Sequence, residues 1–323
     1  MITVLAGGIG AAKFLEGLTA VMPPGEITVI ANTGDDAEFH GLHVSPDMDT
    51  VLYTLAGVVD RERGWGIAGD TFHALKALER LGEETWFQLG DQDIATHLFR
   101  THRLCAGATL SAVSRELCRR FGLRCRIVPM SDDPAPTRLR TSAGMLSFQE
   151  YFVKLRQEPE VLEVDLSAAA RRRTRPAPGV IDAIMNSNGS IVAPSNPIIS
   201  IGPILAVPGI RDALRSTTAP VAAISPIVGG KALKGPADRM MTSLGYGASA
   251  ATVAELYRDF VNVFVLDEQD AALQAEVERK GMKAIVTQSI MSTPAAKQHL
   301  ARKVLQTLQD ARRSGGGGAG RAK

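Results

Sequence analysis

What most constrains this chain is a repeated alternation of short apolar runs with segments of helical periodicity. Runs at Ile2–Leu5, Ile27–Ala31, Arg126–Pro129, Ser190–Ala193, Val221–Ser225, Val261–Leu266 and Ala284–Thr287 are rich in Val, Ile and Ala. They read as strands buried on both faces. Helical spacing fills Ala11–Val21, Thr71–Leu81, Ile94–Leu104, Leu110–Phe121, Ala251–Tyr257, Ala271–Lys280 and Ala295–Arg312. Strands without polar alternation need cover on both sides, and helices between them supply it. The order predicts an α/β fold, a mainly parallel Rossmann-like sheet with helices on both faces. Arg138–Thr141 and Met145–Phe148, split by Ser142-Ala143-Gly144, predict a small hairpin outside that sheet. A single domain over residues 1–312 is expected, with a small additional α/β lobe inserted around 130–190. Ser314–Lys323 is polar and glycine-rich, so residues 313–323 are expected to be a disordered tail.

Several function classes fall away. A formal net charge of +2 gives no electrostatic case for nucleic acid or an anionic membrane. Aromatics at 5% are too few for a base-stacking platform. No stretch is long and apolar enough for a membrane span, and Met1–Leu5 leads straight into a strand without a basic, apolar leader. Cys105, Cys118 and Cys125 form no CxxC pair and read as buried thiols of a reducing compartment. The cytoplasm is the expected location. Six histidines lie scattered without HExxH, which argues against zinc, and no GxSxG suggests a hydrolase.

The chemistry sits in loops. Gly7-Gly8-Ile9-Gly10-Ala11-Ala12-Lys13 leaves a strand and opens a helix, where backbone N–H groups can face a phosphate. A tight steric turn is the alternative. Lys13 stands where a dinucleotide fingerprint wants a third small residue, and Asn32 replaces the ribose-binding acid, which weakens a nicotinamide dehydrogenase. Asn32-Thr33-Gly34-Asp35-Asp36 and Ser45-Pro46-Asp47-Met48-Asp49-Thr50 gather carboxylates. Asp35, Asp36, Asp47 and Asp49 are candidate ligands of an oxygen-bound magnesium ion, and Asp49 and Asp47 are also the candidate catalytic carboxylates. Asp47 or Asp49 could instead cap the following helix, and Asp35 and Asp36 could be a solvated turn. Trp65 is either core or the wall of a flat-ring pocket, and Asp70, Asp91 and Asp93 suit helix caps. Ser195 and Asn196, in a loop stiffened by Pro194 and Pro197, suit hydrogen bonds to phosphate or guanine. Gly230 and Lys231, with Lys234 close behind, repeat the idea and add cations.

In this order, GGIGAAKFLEGL, ANTGDD, SPDMDTVLYTLAG, WGIAGDTF, QLGDQDIATHLFR, PMSDDP, APSNPIISIGPILAVPGI, SPIVGGKALKGPA and FVLDE resemble the 2-phospho-L-lactate transferases over residues 1 to 312. The resemblance implies a transferase of coenzyme F-420 biosynthesis. Such an enzyme moves a phospho-acid (phospholactyl, enolpyruvyl phosphate or phosphoglyceryl) from a guanosine diphosphate-linked donor to 7,8-didemethyl-8-hydroxy-5-deazariboflavin, and GMP leaves. It implies Asp49 at the deazaflavin hydroxyl, a second deazaflavin contact at Gln88, often a basic residue in the family, magnesium as cofactor, and a homodimer. A related group shares the fold and the glycine loop but acts as a non-catalytic nucleotide- or UDP-sugar-binding regulator. The SPDMDT and WGIAGDTF blocks favour the transferase.

Overall fold

The seven apolar runs become seven strands of one sheet in the computed structural model, which describes residues 1–316. They are β1 (Ile2–Ala6), β2 (Ile27–Ala31), β3 (Arg126–Pro129), β4 (Ser190–Val192), β5 (Val221–Ile224), β6 (Val263–Asp267) and β7 (Lys283–Thr287). The spatial order is β7-β6-β5-β4-β1-β2-β3 and every pairing is parallel. The chain starts at the centre, works outward to β3, then returns to the other side of β1. Connections therefore diverge at the carboxyl ends of β1 and β4, which is where open α/β sheets bind ligands.

Side-chain alternation sorts each strand onto two faces. Val4, Ala6, Val29 and Ile191 pack on one side against α1 (Gly8–Thr19), α2 (Pro46–Leu55), the helix Leu110–Arg120 and the long last helix Pro294–Gly316. Leu5, Ile30, Val128 and Val192 pack on the other, against Val180–Met185, Ile201–Ala206, Ile210–Ser216 and Ala250–Tyr257. Each fully buried Leu or Ile contributes about 2 kcal/mol, so the two apolar faces are the main stabilising element. Several of these helices were not expected. Ile201–Ala206 begins where only a rigid proline loop was anticipated. Its Pro203 falls in the first turn, where a missing N–H costs nothing.

The hairpin at 138–147 is present and gains a third strand, Val161–Asp165. Its own small core, Leu139, Tyr151 and Val161, is closed by Ile199 and Met240 from the main body. The last helix runs on to Gly316, four residues into the stretch expected to be disordered. Residues 317–323, the rest of that expected tail, lie outside the described residues. Among the described residues, no helix is long and apolar enough to cross a membrane.

Candidate active site

A cavity of about 720 Å³ opens at the carboxyl edge of the sheet. The turn after β1 (Gly7 to Gly10, with Lys13) and the loop after β4 (Pro194, Ser195, Asn196) form one wall. Gly8 holds a positive φ of 69°, and a Cβ at Gly10 would sit 2.2 Å from the Pro194 carbonyl oxygen, so the two loops touch only through glycine. Ser195 Oγ accepts from Gly7 N at 3.3 Å. Asn196 Oδ1 accepts from Ile198 N and Ile199 N, which shapes its own loop. Lys13 and Lys234 both line the cavity. Burial, then the charges of Lys234 and Lys297, lowers the Lys13 ammonium below its ordinary range. Trp65, Phe87, Phe148 and Phe152 supply an aromatic wall opposite, with Gln88 at its exposed margin.

Carboxylates make the floor. Helix α2 starts at Pro46, with Ser45 before it, so Asp47 and Asp49 lie inside its first turn. Asn32, at the end of β2, organises the first group. Its amide nitrogen donates to Asp47 Oδ2 at 2.8 Å and to Asp35 Oδ1 at 3.4 Å, while its oxygen accepts from Gly34 N. Burial pushes the Asp47 carboxyl up from 3.8 to about 6, the Asp36 charge adds to the rise, and hydrogen bonds from Asn32, Ser200 and Gly8 oppose it. Asp35 is raised well above the ordinary range by burial and then by the Asp47 and Asp36 charges. The glycine turn leans on Asp47 itself: a Cβ at Gly7 would be 2.4 Å from its Oδ2. The protein thus places a carboxylate of its own at the positive end of α1.

Asp49 lives differently. Its Oδ1 pairs with Nη2 of Arg100, a side chain only 1% exposed on α3 (Asp91–Cys105). Asp93, His97 and Arg100 share one face of α3, and Tyr53 of α2 donates to Asp93 Oδ1 at 2.6 Å. Asp36 turns away from the main cavity. It accepts from Ser45 Oγ at 2.8 Å, lies 3.0 Å from His43 Nε2, and borders a second cavity of about 660 Å³.

Two expected phosphate contacts are not part of the cleft. Gly229 and Gly230, with φ of 56° and 78°, form the two-residue turn between Ile227–Val228 and Lys231–Ala232. Their glycines answer hairpin geometry, and Lys231 is exposed away from the cavity, which Lys234 reaches instead. The caps near the aromatic wall are exchanged. Asp70, expected to cap the helix after it, accepts from Gln92 N and Asp93 N of α3, while Asp91 caps the helix His73–Arg80 through His73 N and Ala74 N. Hydrogen bonds from Thr71, Ala74 and His73 lower Asp91 to about 2. Asp93 is no cap but a buried acceptor.

Sequence reasoning passed over Tyr53, His97 and Arg100, and gave Asp93 only a capping role. The usable signal was the spacing 93, 97, 100, which puts three polar side chains on one helix face. Asp36, a candidate metal ligand, is set apart from the others by its bonds to Ser45 and His43. Among the described residues, no three or more His, Cys, Asp or Glu are arranged as a metal cage.

Comparison with known proteins follows the same lines. The family model for 2-phospho-L-lactate transferase CofD matches residues 2–307. A phosphoenolpyruvate transferase of Streptomyces griseus subsp. griseus is 42% identical over 317 residues, 96% of this chain and 99% of the relative. A 2-phospho-L-lactate transferase of Methanosarcina mazei is 39% identical over 305 residues, 94% of this chain and 99% of the relative. The crystal structure of protein BH3568 from Bacillus halodurans, of the UPF0052 family, gives a TM-score of 0.61 at 16% identity. It covers 94% of this chain and 98% of that one, and it shows a shared fold alone. The chain belongs to the 2-phospho-L-lactate transferase CofD family and is a transferase of coenzyme F-420 biosynthesis.

Proposed function

We propose that this cleft joins a phospho-acid, carried on a guanosine diphosphate donor, to the ribityl hydroxyl of 7,8-didemethyl-8-hydroxy-5-deazariboflavin and releases GMP. The observation that carries the reading is one cavity holding a glycine turn, two lysines, buried carboxylates and an aromatic wall. The bond formed is between the acceptor oxygen and the phosphorus next to the acid. The bond broken is the phosphoanhydride to GMP, and the hydroxyl proton passes to a carboxylate or water. In this reading Gly8, Gly10, Lys13, Ser195, Asn196 and Lys234 hold the donor's diphosphate and guanosine. Trp65, Phe87 and Gln88 flank the tricyclic ring, and Asp49 meets the attacking hydroxyl.

Asp35 and Asp47 fit a magnesium ion. Both bond the same Asn32 amide, neither forms an ion pair among the described residues, and burial together with neighbouring carboxylate charge raises both pKa values. Magnesium asks for one or two carboxylates and completes its shell with water and phosphate oxygens, so a cage of three is not needed. When bound there, it would supply neutralisation of the charge on the diphosphate. Asp49, already compensated by Arg100, is left for the acceptor. We extend the proposal to a cytoplasmic homodimer, for which light scattering should give twice the 34.4 kDa chain mass.

The test is incubation with the deazaflavin, magnesium and each guanosine-activated acid, read by mass spectrometry. One product with one equivalent of GMP is expected, and its mass names the acid. Nucleotide binding without product from any donor would refute the reading and favour a non-catalytic nucleotide- or UDP-sugar-binding regulator.

A further inference from the structure

The buried Arg100 makes three contacts, and together they set the geometry of one carboxylate. Nη2 pairs with Asp49 Oδ1. Nη1 donates to the His43 carbonyl at 3.2 Å and lies 3.1 Å from His97 Nδ1. A guanidinium can only donate, so His97 Nδ1 is the acceptor and the ring proton sits on Nε2. That nitrogen stands 3.1 Å from Asp93 Oδ1, off the hydrogen-bond direction. Arg100 thereby ties α3 to the strand before α2 and to the first turn of α2 itself.

Such a site is costly to build. A buried guanidinium loses several kcal/mol of solvation, and an apolar pair of similar volume often serves stability as well or better. A pair placed only for stability would also leave neither carboxylate oxygen idle. Here Asp49 Oδ2 is buried with no hydrogen-bond partner among the described residues, although the residue lines the main cavity. His97 Nδ1 lies 3.7 Å away and already accepts from Arg100. One oxygen is clamped, and the other carries no hydrogen bond from the described residues.

We propose that Arg100 is a positioning residue, which clamps Asp49 Oδ1 so that Oδ2 stays available to the acceptor hydroxyl. This rests on the reading of Asp49 as the acceptor-side carboxylate. His97 acts as the second prop, accepting from the other terminal nitrogen of the guanidinium. The role is geometric, and Arg100 touches no reacting atom.

A double-mutant cycle tests it, using Asp49→Asn, Arg100→Met and both together in the full chain. Melting with and without GDP reports folding and the donor half of the site. Arg100→Met should lower kcat roughly 100-fold, the scale of a misplaced catalytic group, while KM for the donor stays within about threefold. In the Asp49→Asn background, loss of Arg100 should change kcat by less than about threefold, because there is no longer a carboxylate to hold. A single variant within threefold of wild type would overturn the proposal, as would a double variant that falls by the product of the two singles. Should Arg100→Met fail to fold, Asp49→Asn against the double variant decides alone: equal turnover supports the clamp, and a further tenfold loss overturns it. Should the wild type itself not turn over, the proposed reaction is what fails. Calorimetric binding of the deazaflavin to the same proteins then carries the cycle, with the same non-additivity expected.

Discussion

Replacing Asp47 with Asn should make the free protein more stable at pH 8 while abolishing its chemistry. Burial and the neighbouring Asp36 charge raise this carboxyl from 3.8 to about 6. The native state therefore binds the proton more tightly than the unfolded chain does. Below about pH 4 both states are protonated and no penalty exists; between pH 4 and 6 the native state loses stability as pH rises; above about pH 6 the full penalty is present. At about 1.4 kcal/mol per pH unit the rise is worth about 3 kcal/mol. Asn keeps the volume and removes the charge. It can turn its oxygen to the Asn32 amide, but it accepts less strongly from Gly8 and Ser200, at a cost of about 1 kcal/mol. A net gain of about 1–2 kcal/mol remains, or roughly 1.5–3 °C in melting temperature for a chain of this size. The gain should shrink toward zero at pH 4. Calorimetry of wild type and Asp47→Asn in chelator across pH 4 to 8 measures it. An Asp47→Asn protein that melts below wild type at pH 8, or a difference that does not vary with pH, would mean that Asp47 is a satisfied acid and not an uncompensated one.

Asp49→Asn should behave in the opposite sense despite lying two residues away: turnover falls about 100-fold, and melting temperature also falls, because Arg100 is left buried against a neutral amide. Equal stability effects at the two positions in a pair of melts would contradict this division. EDTA should abolish turnover and magnesium or manganese restore it, while GDP still binds more weakly; full activity in EDTA would hand the diphosphate to Lys13 and Lys234 alone. Gly10→Ala, whose new methyl would meet the Pro194 carbonyl at 2.2 Å, should cost about 1–3 kcal/mol and weaken GDP binding, read by calorimetry. Lys234→Met should raise KM for the donor several-fold, whereas Lys231→Met leaves it within twofold; the reverse pattern in steady-state kinetics would restore Lys231 to the site.

The sheet was legible because each strand carries its own signal. Ile27–Ala31 is a short, β-branched and largely apolar run, which suits a strand covered on both faces. Strand order was not legible, since which neighbours pair depends on packing between segments far apart in sequence. The short helices escaped for a local reason: Ile201–Ala206 holds Gly and Pro and is too short to show a period. Within the site, loops announced themselves by glycine and proline, but loop chemistry has two causes. Gly8 and Gly10 serve the cleft, whereas Gly229 and Gly230 serve a turn, and only φ values and neighbours separate them. The Arg100 cluster was hidden by the opposite problem, because a basic residue in an amphipathic helix looks like solvated surface until its depth is known.

The exchanged caps of Asp70 and Asp91 have a consequence for how this pocket can vary. Each aspartate closes the helix that follows the other, so the segments carrying Trp65 and Phe87–Gln88 are buckled together at their bases. Neither segment can swing outward without undoing a cap on the far one. The bend between them, from Leu81 to Glu84, bears none of this fastening and is largely open to solvent. Length changes there are absorbed best at Leu81 and Gly82, because Glu84 accepts from Lys154 Nζ at 2.7 Å and from Trp86 Nε1 at 3.1 Å. A single residue added between Asp70 and Thr71 would unbuckle both walls at once.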